Sequence, residues 1–460
     1  MLTSRLLKAL MAFALLFAVS LSMFPDRSEK APAKQRPNIL FILTDDQPAD
    51  TVAKMPKVRE DLINKGVTFE HGYVSDPLCC PSRASILTGE YTHNHGVKTN
   101  SFPGGGAEKF HEEGLDQNTI ATRLKEAGYS TGYFGKYFNE YRGRYVPPGW
   151  DRWFVYSGNV TAPRSFNIND QGHVFTYTHY HTNETNLMTD RATQFIGEHT
   201  RPWFMVVGTR APHGPYYPSD RHRDDFNHVT LPEPPSFEEA DVSDKPEAVR
   251  QPDPPNTQRL RKEYEGKLET LQDVDDLVGK LVNRLEATGQ LQNTYIVYTT
   301  DNGWIMGEHN LTAKGLPYEE AIRVPYLVRG PGVPQGEVHE ELVSNVDLAP
   351  TFAAWGGVQM ADADGRDLAP VLERDPAPSW RKRLLIEHFA GHTWSGLRTP
   401  RYTYAEYAAG EKELYDMRKD PYELENIAET SDDALLQDLD SRLESLRGCA
   451  KDGCRAAEED

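Results

Sequence analysis

Three short apolar runs, each ending in polar residues, restrict the fold of this chain more than any other feature. Residues 38–44 (NILFILT) run into Asp45 and Asp46, residues 203–208 (WFMVVG) lead to Pro212 and His213, and residues 295–300 (YIVYTT) run into Asp301 and Asn302. A continuous apolar run of this length suits a strand buried on both faces, as in a parallel sheet. Helical patterns separate the runs. Residues 119–127 stop at Gly128, a helix-terminating signal. Residues 262–287 put Leu268, Leu271, Val274, Leu277, Val278, Leu281 and Leu285 on one helical face. The alternation predicts an α/β fold with a large, mostly parallel sheet flanked by helices. In open sheets of this kind ligands bind beyond the carboxyl ends of the strands. Asp45, Asp46, His213, Asp301 and Asn302 are therefore expected to share one site.

The ends of the chain differ from this body. Residues 1–24 lack any acidic residue; Arg5 and Lys8 precede an apolar stretch from Ala9 to Phe24. That is the pattern of a secretory signal peptide, with an uncleaved anchor as the alternative. The apolar stretch is shorter than the roughly 20 residues a membrane span needs. The body is expected to be secreted, periplasmic or otherwise extracytoplasmic, without a stable membrane span. From Trp380 onward, strand-like runs (LLIEHF, RYTYAEY) give way to an acidic helical pattern from Ala434. This reads as a smaller C-terminal α+β subdomain with a short antiparallel sheet, dividing the chain into 36–375 and 376–460. Cys449 and Cys454 could pair in an oxidising compartment, or stand as two free thiols on a tail. Residues 218–257, rich in proline and acid, read as a long surface excursion. With 96–113 and 142–182 they are the loops expected to carry specificity. Fifty basic against 69 acidic residues, a net charge of −19, leave no basic footprint for nucleic acid.

Residues 78–89 read L-C-C-P-S-R-A-S-I-L-T-G. Pro81 fits the first turn of a helix, which sets Cys79 and Cys80 at a helix N-terminus, where free N–H groups and the dipole favour an anion. Arg83, four residues after Cys79, lies one turn along. A thiol beside an anion site and an arginine is a candidate nucleophile; a buried structural pair of cysteines is the alternative.

Cys79-Cys80-Pro81-Ser82-Arg83 followed by Leu87-Thr88-Gly89 resembles the type I sulfatase signature. The likeness extends to Asp45-Asp46, Gly135-Lys136, Ala211-Pro212-His213, Asp301-Asn302-Gly303, Lys314, Leu414-Tyr415-Asp416 and Asp420-Pro421. With His93-Asn94-His95 it looks most like the N-acetylglucosamine-6-sulfatase and heparan-type branch and its bacterial relatives. The resemblance implies an alkaline phosphatase-like fold and a sulfuric ester hydrolase. It implies that a separate generating enzyme oxidises Cys79 to formylglycine. The hydrated aldehyde would attack sulfur, passing through a covalent sulfo-enzyme. Asp45, Asp46, Asp301, Asn302 and the modified Cys79 would hold a cation. Oxygen ligands suit Ca²⁺ or Mg²⁺, and the resemblance favours Ca²⁺. Arg83, Lys136, His213 and Lys314 become catalytic residues: Lys136, His213 and Lys314 would bind the sulfate, Asp301 would act as base, and His213 or Lys314 as general acid.

One departure stands out. Many members carry a histidine two residues after the Gly-Lys lysine, where this chain has Phe138. Asn139, His93 or His95 are the candidates to replace it. His309, just before Lys314, is expected to line the substrate pocket, and His388 and His392 could form part of a substrate wall. Two histidines at 93 and 95 are too few for zinc by themselves. The sequons at Asn159, Asn183 and Asn310 matter only in a glycosylating host. Two other readings remain: a phosphomonoesterase or phosphonate hydrolase using the same cradle, and a catalytically silent glycan-binding protein. Given the acidic surface, one sulfate group entering a narrow pocket is expected rather than a densely sulfated polymer wrapped around the molecule.

Overall fold

The computed structural model describes residues 36–158, 165–178, 182–199, 202–373 and 380–460. The signal segment 1–24, the boundary expected at 375/376 and the sequon at Asn159 lie outside the described residues.

Ten strands form the main sheet: β1 (Asn38–Thr44), β2 (Val67–Phe69), β3 (Ser130–Gly135), β4 (Arg152–Tyr156), β5 (Ser165–Asp170), β6 (His173–Thr178), β7 (Trp203–Gly208), β8 (Thr294–Thr300), β9 (Leu327–Arg329) and β10 (Glu337–His339). Their spatial order is β10-β2-β9-β8-β1-β7-β3-β4-β5-β6. The block β8-β1-β7-β3-β4 is parallel throughout. The three apolar runs read from the sequence are its central strands. Alternation along β1 sends Ile39, Phe41 and Leu43 to one face and Leu40 and Ile42 to the other. All five are buried, which is why the run has no polar face.

Each face is covered by helices. On one side lie α1 (Cys79–Thr88), α2 (Ile120–Glu126) and α5 (Leu348–Gly356); on the other lie α3 (Glu184–Glu198) and α4 (Thr257–Ala287). The α4 face predicted from periodicity is fully buried, each side chain contributing roughly 1.5–3 kcal/mol by leaving water. The helix begins five residues before the predicted start, at an Asn256 cap that accepts from Arg259 N, because capping rather than apolar period sets the boundary.

The segment 142–182 is not simply a loop. Much of it folds into β4, which is parallel to β3, and into β5 and β6, which extend the sheet antiparallel and are joined by a tight turn at Gln171-Gly172. The excursion 218–257 is also less solvated than its composition suggests: Ser236, Glu239, Lys245 and Val249 are buried.

A second sheet orders β11 (Leu384–His388), β12 (Trp394–Arg398), β13 (Tyr402–Tyr407) and β14 (Lys412–Asp416), all antiparallel. One face packs on Ile305, Leu316, Tyr318 and Ile322, and the other on α6 (Asp433–Arg447) and α7 (Asp452–Glu459). Cys449, just past the end of α6, forms a disulfide with Cys454 in α7. No helix among the described residues is long and apolar enough to cross a membrane.

Candidate active site

β1 and β8 run parallel in a register that pairs Thr44 with Thr300. Both end there, so the acidic pairs that follow land on the same edge. Asp301 N donates to Thr44 O at 3.1 Å, and Asp46 N to Asp301 Oδ1 at 3.3 Å. Asn302 Nδ2 donates to Asp46 Oδ1 at 2.7 Å.

α1 starts at Cys79 and aims its positive end at this edge. Ser82 turns inward, its hydroxyl accepting from Asn345 Nδ2 at 2.9 Å. Gly89, at φ +78°, ends the helix. Cys79 and Arg83 sit on one side, one turn apart. Arg83 is buried. Its Nε donates to Asp301 Oδ2 at 2.8 Å and its Nη1 to the Lys136 carbonyl at 2.7 Å, while Nη2 is buried without a partner. Cys80 points away: Asn139 N donates to its sulfur at 3.3 Å.

Lys136 arrives on the end of β3. Gly135 has φ +111°, and a Cβ there would lie 1.9 Å from Gly208 O, so only glycine permits the close approach to β7. Lys136 Nζ then reaches Asp45 Oδ2 at 2.5 Å. Lys314 Nζ contacts an oxygen of Asp46, Asn302 Oδ1 at 3.2 Å and Cys79 Sγ at 2.9 Å. His213 Nε2 lies 3.6 Å from Asp46 Oδ2. The structure thus brings Asp45, Asp46, Cys79, Arg83, Lys136, His213, Asp301, Asn302 and Lys314 together.

Burial alone would raise the acids here, but Lys136 and other cations hold Asp45 well below the usual carboxylate range, and Lys314 lowers Asp46. Asp301 is raised by burial and by Asp45, against the pull of Arg83. The Cys79 thiol is pushed far up by burial, outweighing Lys136 and Lys314. An unmodified cysteine here stays protonated and is a poor nucleophile.

The donor set fits a hard cation. Ligand atoms of Asp45, Asp46, Cys79 and Asp301 lie within 4.8 Å of one another. Asp46 Oδ2 is buried without a hydrogen-bond partner, as a ligand atom would be. The Cys79 sulfur stands where the oxygens of a hydrated aldehyde would sit; with oxygen there, every donor is hard.

Beside these groups opens a cavity of about 430 Å³, lined by Asp45, Lys136, Asn139, Tyr156, Arg210 and His213 among others. Two site residues escaped the sequence reading. Arg210 faces this cavity and is held by Glu184, its Nε donating at 2.9 Å. Lys267 donates to Asp46 O at 3.1 Å, and burial lowers it to about 8. A signal for Lys267 was present: it is a charged residue four and seven positions before Leu271 and Val274, on the face that must be buried.

Several histidines are placed elsewhere. His309 does not line this cavity; it is buried, with Nδ1 2.7 Å from Glu239 Oε2 and its ring stacked on Tyr318. His93 is held by Glu387 and the Cys449 carbonyl, so it does not stand in for the histidine missing at Phe138. The disulfide also removes Cys449 and Cys454 as thiolate partners for a metal at His93. His95 contacts Ser85 Oγ at 3.1 Å on the inner side of α1. His388 pairs with Asp76 at 2.9 Å, and His392 is exposed. Asn139, by contrast, does line the cavity. Of the sequons, Asn183 Nδ2 donates to Asp273 and Asn310 Nδ2 to the Glu239 carbonyl.

Burial lowers His95 to about 3, so it stays neutral in the folded state well below its ordinary 6.5. The unfolded chain takes up a proton there first, so stability falls as pH drops from 6.5 toward 3. The slope attributable to this residue is about 1.4 kcal/mol per pH unit. Denaturant titrations of wild type and His95→Gln from pH 7 to 4.5 should show the variant losing less stability on acidification. Parallel pH profiles would contradict this.

Carboxylates at strand ends, buried cations and a helix N-terminus surround one small residue at the edge of an alkaline phosphatase-like sheet. The sulfatase family model matches residues 37–358, and the model for the C-terminal part of N-sulphoglucosamine sulphohydrolase matches residues 307–448. Human N-acetylglucosamine-6-sulfatase is 33% identical over 482 residues, covering 92% of this chain and 87% of that protein. The Drosophila melanogaster extracellular sulfatase SULF-1 homolog is 37% identical over 384 residues, covering 78% of this chain. The chain spans 34% of the length of that fly protein and 52% of a Caenorhabditis elegans counterpart. The solved structure of BT4656 with its substrate D-glucosamine-2-N,6-O-disulfate superposes with a TM-score of 0.79 at 27% identity, covering 89% of this chain and 97% of that one. The chain belongs to the sulfatase family.

Proposed function

We propose that this chain hydrolyses the 6-O-sulfate ester of a glucosamine-type sugar, in an extracytoplasmic compartment, with formylglycine made from Cys79 by a generating enzyme. The observation that carries the reading is the set of contacts around Cys79: Lys314 at 2.9 Å, Asp45 at 3.6 Å and the α1 N-terminus. A hydrated aldehyde at this position supplies an oxygen nucleophile to sulfur. Asp45, Asp46, Asp301 and Asn302 would hold a Ca²⁺, whose charge would polarise sulfate oxygens. Lys136, Lys314 and the α1 N-terminus bind the non-bridging oxygens. Arg83 orients Asp301. His213, with a side chain 41% exposed at the cavity mouth, is suited to protonate the leaving sugar oxygen, and Asp301 to accept a proton from the nucleophile. The sugar specificity rests on the substrate named for BT4656 and on the human relative.

The test uses protein coexpressed with a formylglycine-generating enzyme and follows sulfate release. Glucosamine-6-sulfate and its N-acetylated and N-sulfated forms should be turned over well ahead of 4-O-sulfated galactosamine. Preference for a phosphate or phosphonate ester would overturn the reading. Stripping metal with EDTA should lower activity by about two orders of magnitude or more, and added Ca²⁺ should restore it better than Mg²⁺. Undiminished activity in metal-free protein would rule out the cation.

A further inference from the structure

We propose that His309, Glu320 and Glu423 form a second divalent-cation site, separate from the centre at Cys79. Their ligand atoms lie within 4.8 Å of one another. His309 Nε2, Glu320 Oε2 and Glu423 Oε1 are each buried and each lack a hydrogen-bond partner. His309 and Glu423 are at most 1% exposed. Three residues clustered this closely, each with a buried polar atom left unpartnered, are a costly arrangement unless something satisfies those atoms.

The surrounding contacts orient all three for ligation. Glu239 Oε2 accepts from His309 Nδ1 at 2.7 Å, which leaves the lone pair on Nε2 directed inward. This is the carboxylate–histidine arrangement found behind metal-binding imidazoles. Glu423 spends its other oxygen on Glu319 N at 2.9 Å, so Oε1 is the free one. His309 and Glu423 both have φ +54°, an unfavourable backbone region for such residues.

Charge points the same way. The nearby cations are committed elsewhere: Arg398 and Arg323 to Glu319, and Lys245 to Glu239. None of the ion pairs of the described residues involves Glu320 or Glu423. One imidazole and two carboxylates suit a transition ion such as Zn²⁺ or Mn²⁺ better than Ca²⁺. An adjoining cavity of about 400 Å³, lined by Asp50, Trp304, Glu308, Glu320 and Tyr422 among others, can supply water to complete the shell.

The ligands come from three separate segments. His309 lies between the short strands Ile305–Met306 and Thr312–Ala313, Glu320 on the single turn Glu319–Ile322, and Glu423 beyond β14. Glu239 brings in the 218–257 excursion. The ion would tie these together around the loop that carries Lys314.

The test is metal analysis of full-length protein grown with Zn²⁺ and Mn²⁺, followed by Co²⁺ titration under saturating Ca²⁺. About one equivalent of Co²⁺ should bind with a visible ligand-field band, and Zn²⁺ should displace it. His309→Gln and Glu423→Gln should abolish the band, and Asp46→Asn should retain it. Glu239→Gln should weaken Co²⁺ binding by about 10–100-fold. The wild-type titration decides even where a variant fails to fold. Absence of both a copurified transition ion and a band would overturn the proposal, as would a band that survives both ligand variants or disappears in Asp46→Asn.

Discussion

Cys79→Ala is expected to lower kcat/KM for sulfate-ester hydrolysis by at least about four orders of magnitude, with the thermal midpoint nearly unchanged. The side chain is small. Its loss leaves Lys314 still held by Asp46 and Asn302, and Asp45 by Lys136. Cys79→Ser should be as inactive, because a buried hydroxyl without a thiol cannot be oxidised to the aldehyde by the same route. The matching observation is the mass of the Cys79 peptide. Conversion to formylglycine exchanges H₂S for O and lightens it by about 18 Da. A fully active preparation with an intact thiol would sink the nucleophile assignment.

The fold was most legible where one physical constraint acts alone. The strands around β1 must be apolar on both faces, and α4 must keep one face dry, so both patterns stand out. β5 and β6 did not: β5 holds only Phe166 and Ile168 as apolar residues, and β6 leaves even Val174 and Phe175 exposed, so neither shows the continuous apolar run of a strand buried on both faces. The excursion 218–257 misled for a related reason. Its prolines and acids suit turns, yet Lys245 is buried because its Nζ donates to the Glu423 and Leu424 carbonyls, a contact between distant segments that composition cannot register.

The site divides in the same way. Residues that follow a strand end or open α1 could be placed from the sequence, since strand register carries them to one edge. Lys314 depended on the family resemblance. His309 shows the limit: five residues from Lys314 in sequence, it is turned by a left-handed backbone toward Glu239 and Tyr318. Proximity along the chain said nothing about which side of the loop it would face.

Arg83→Met should damage both stability and activity, and a second substitution separates the two. Arg83 and Asp301 are a buried pair at 2.8 Å, with side chains 2% and 0% exposed. Removing the cation strands Asp301 in a site where burial and Asp45 already oppose its charge. Breaking such a pair costs about 3–5 kcal/mol, to be read as a fall in the denaturation midpoint. It also releases the Lys136 and Tyr137 carbonyls that Arg83 Nη1 holds at 2.7 and 3.2 Å, so Lys136 loses its support. Activity should fall by about three orders of magnitude. In Arg83→Met/Asp301→Asn the stranded charge is gone, and most of the stability should return. Activity should not return, because the double variant also lacks the Asp301 carboxylate, a proposed metal ligand and base. If the double variant were no more stable than Arg83→Met, the stability role of Arg83 would be packing around its long side chain rather than neutralisation of Asp301.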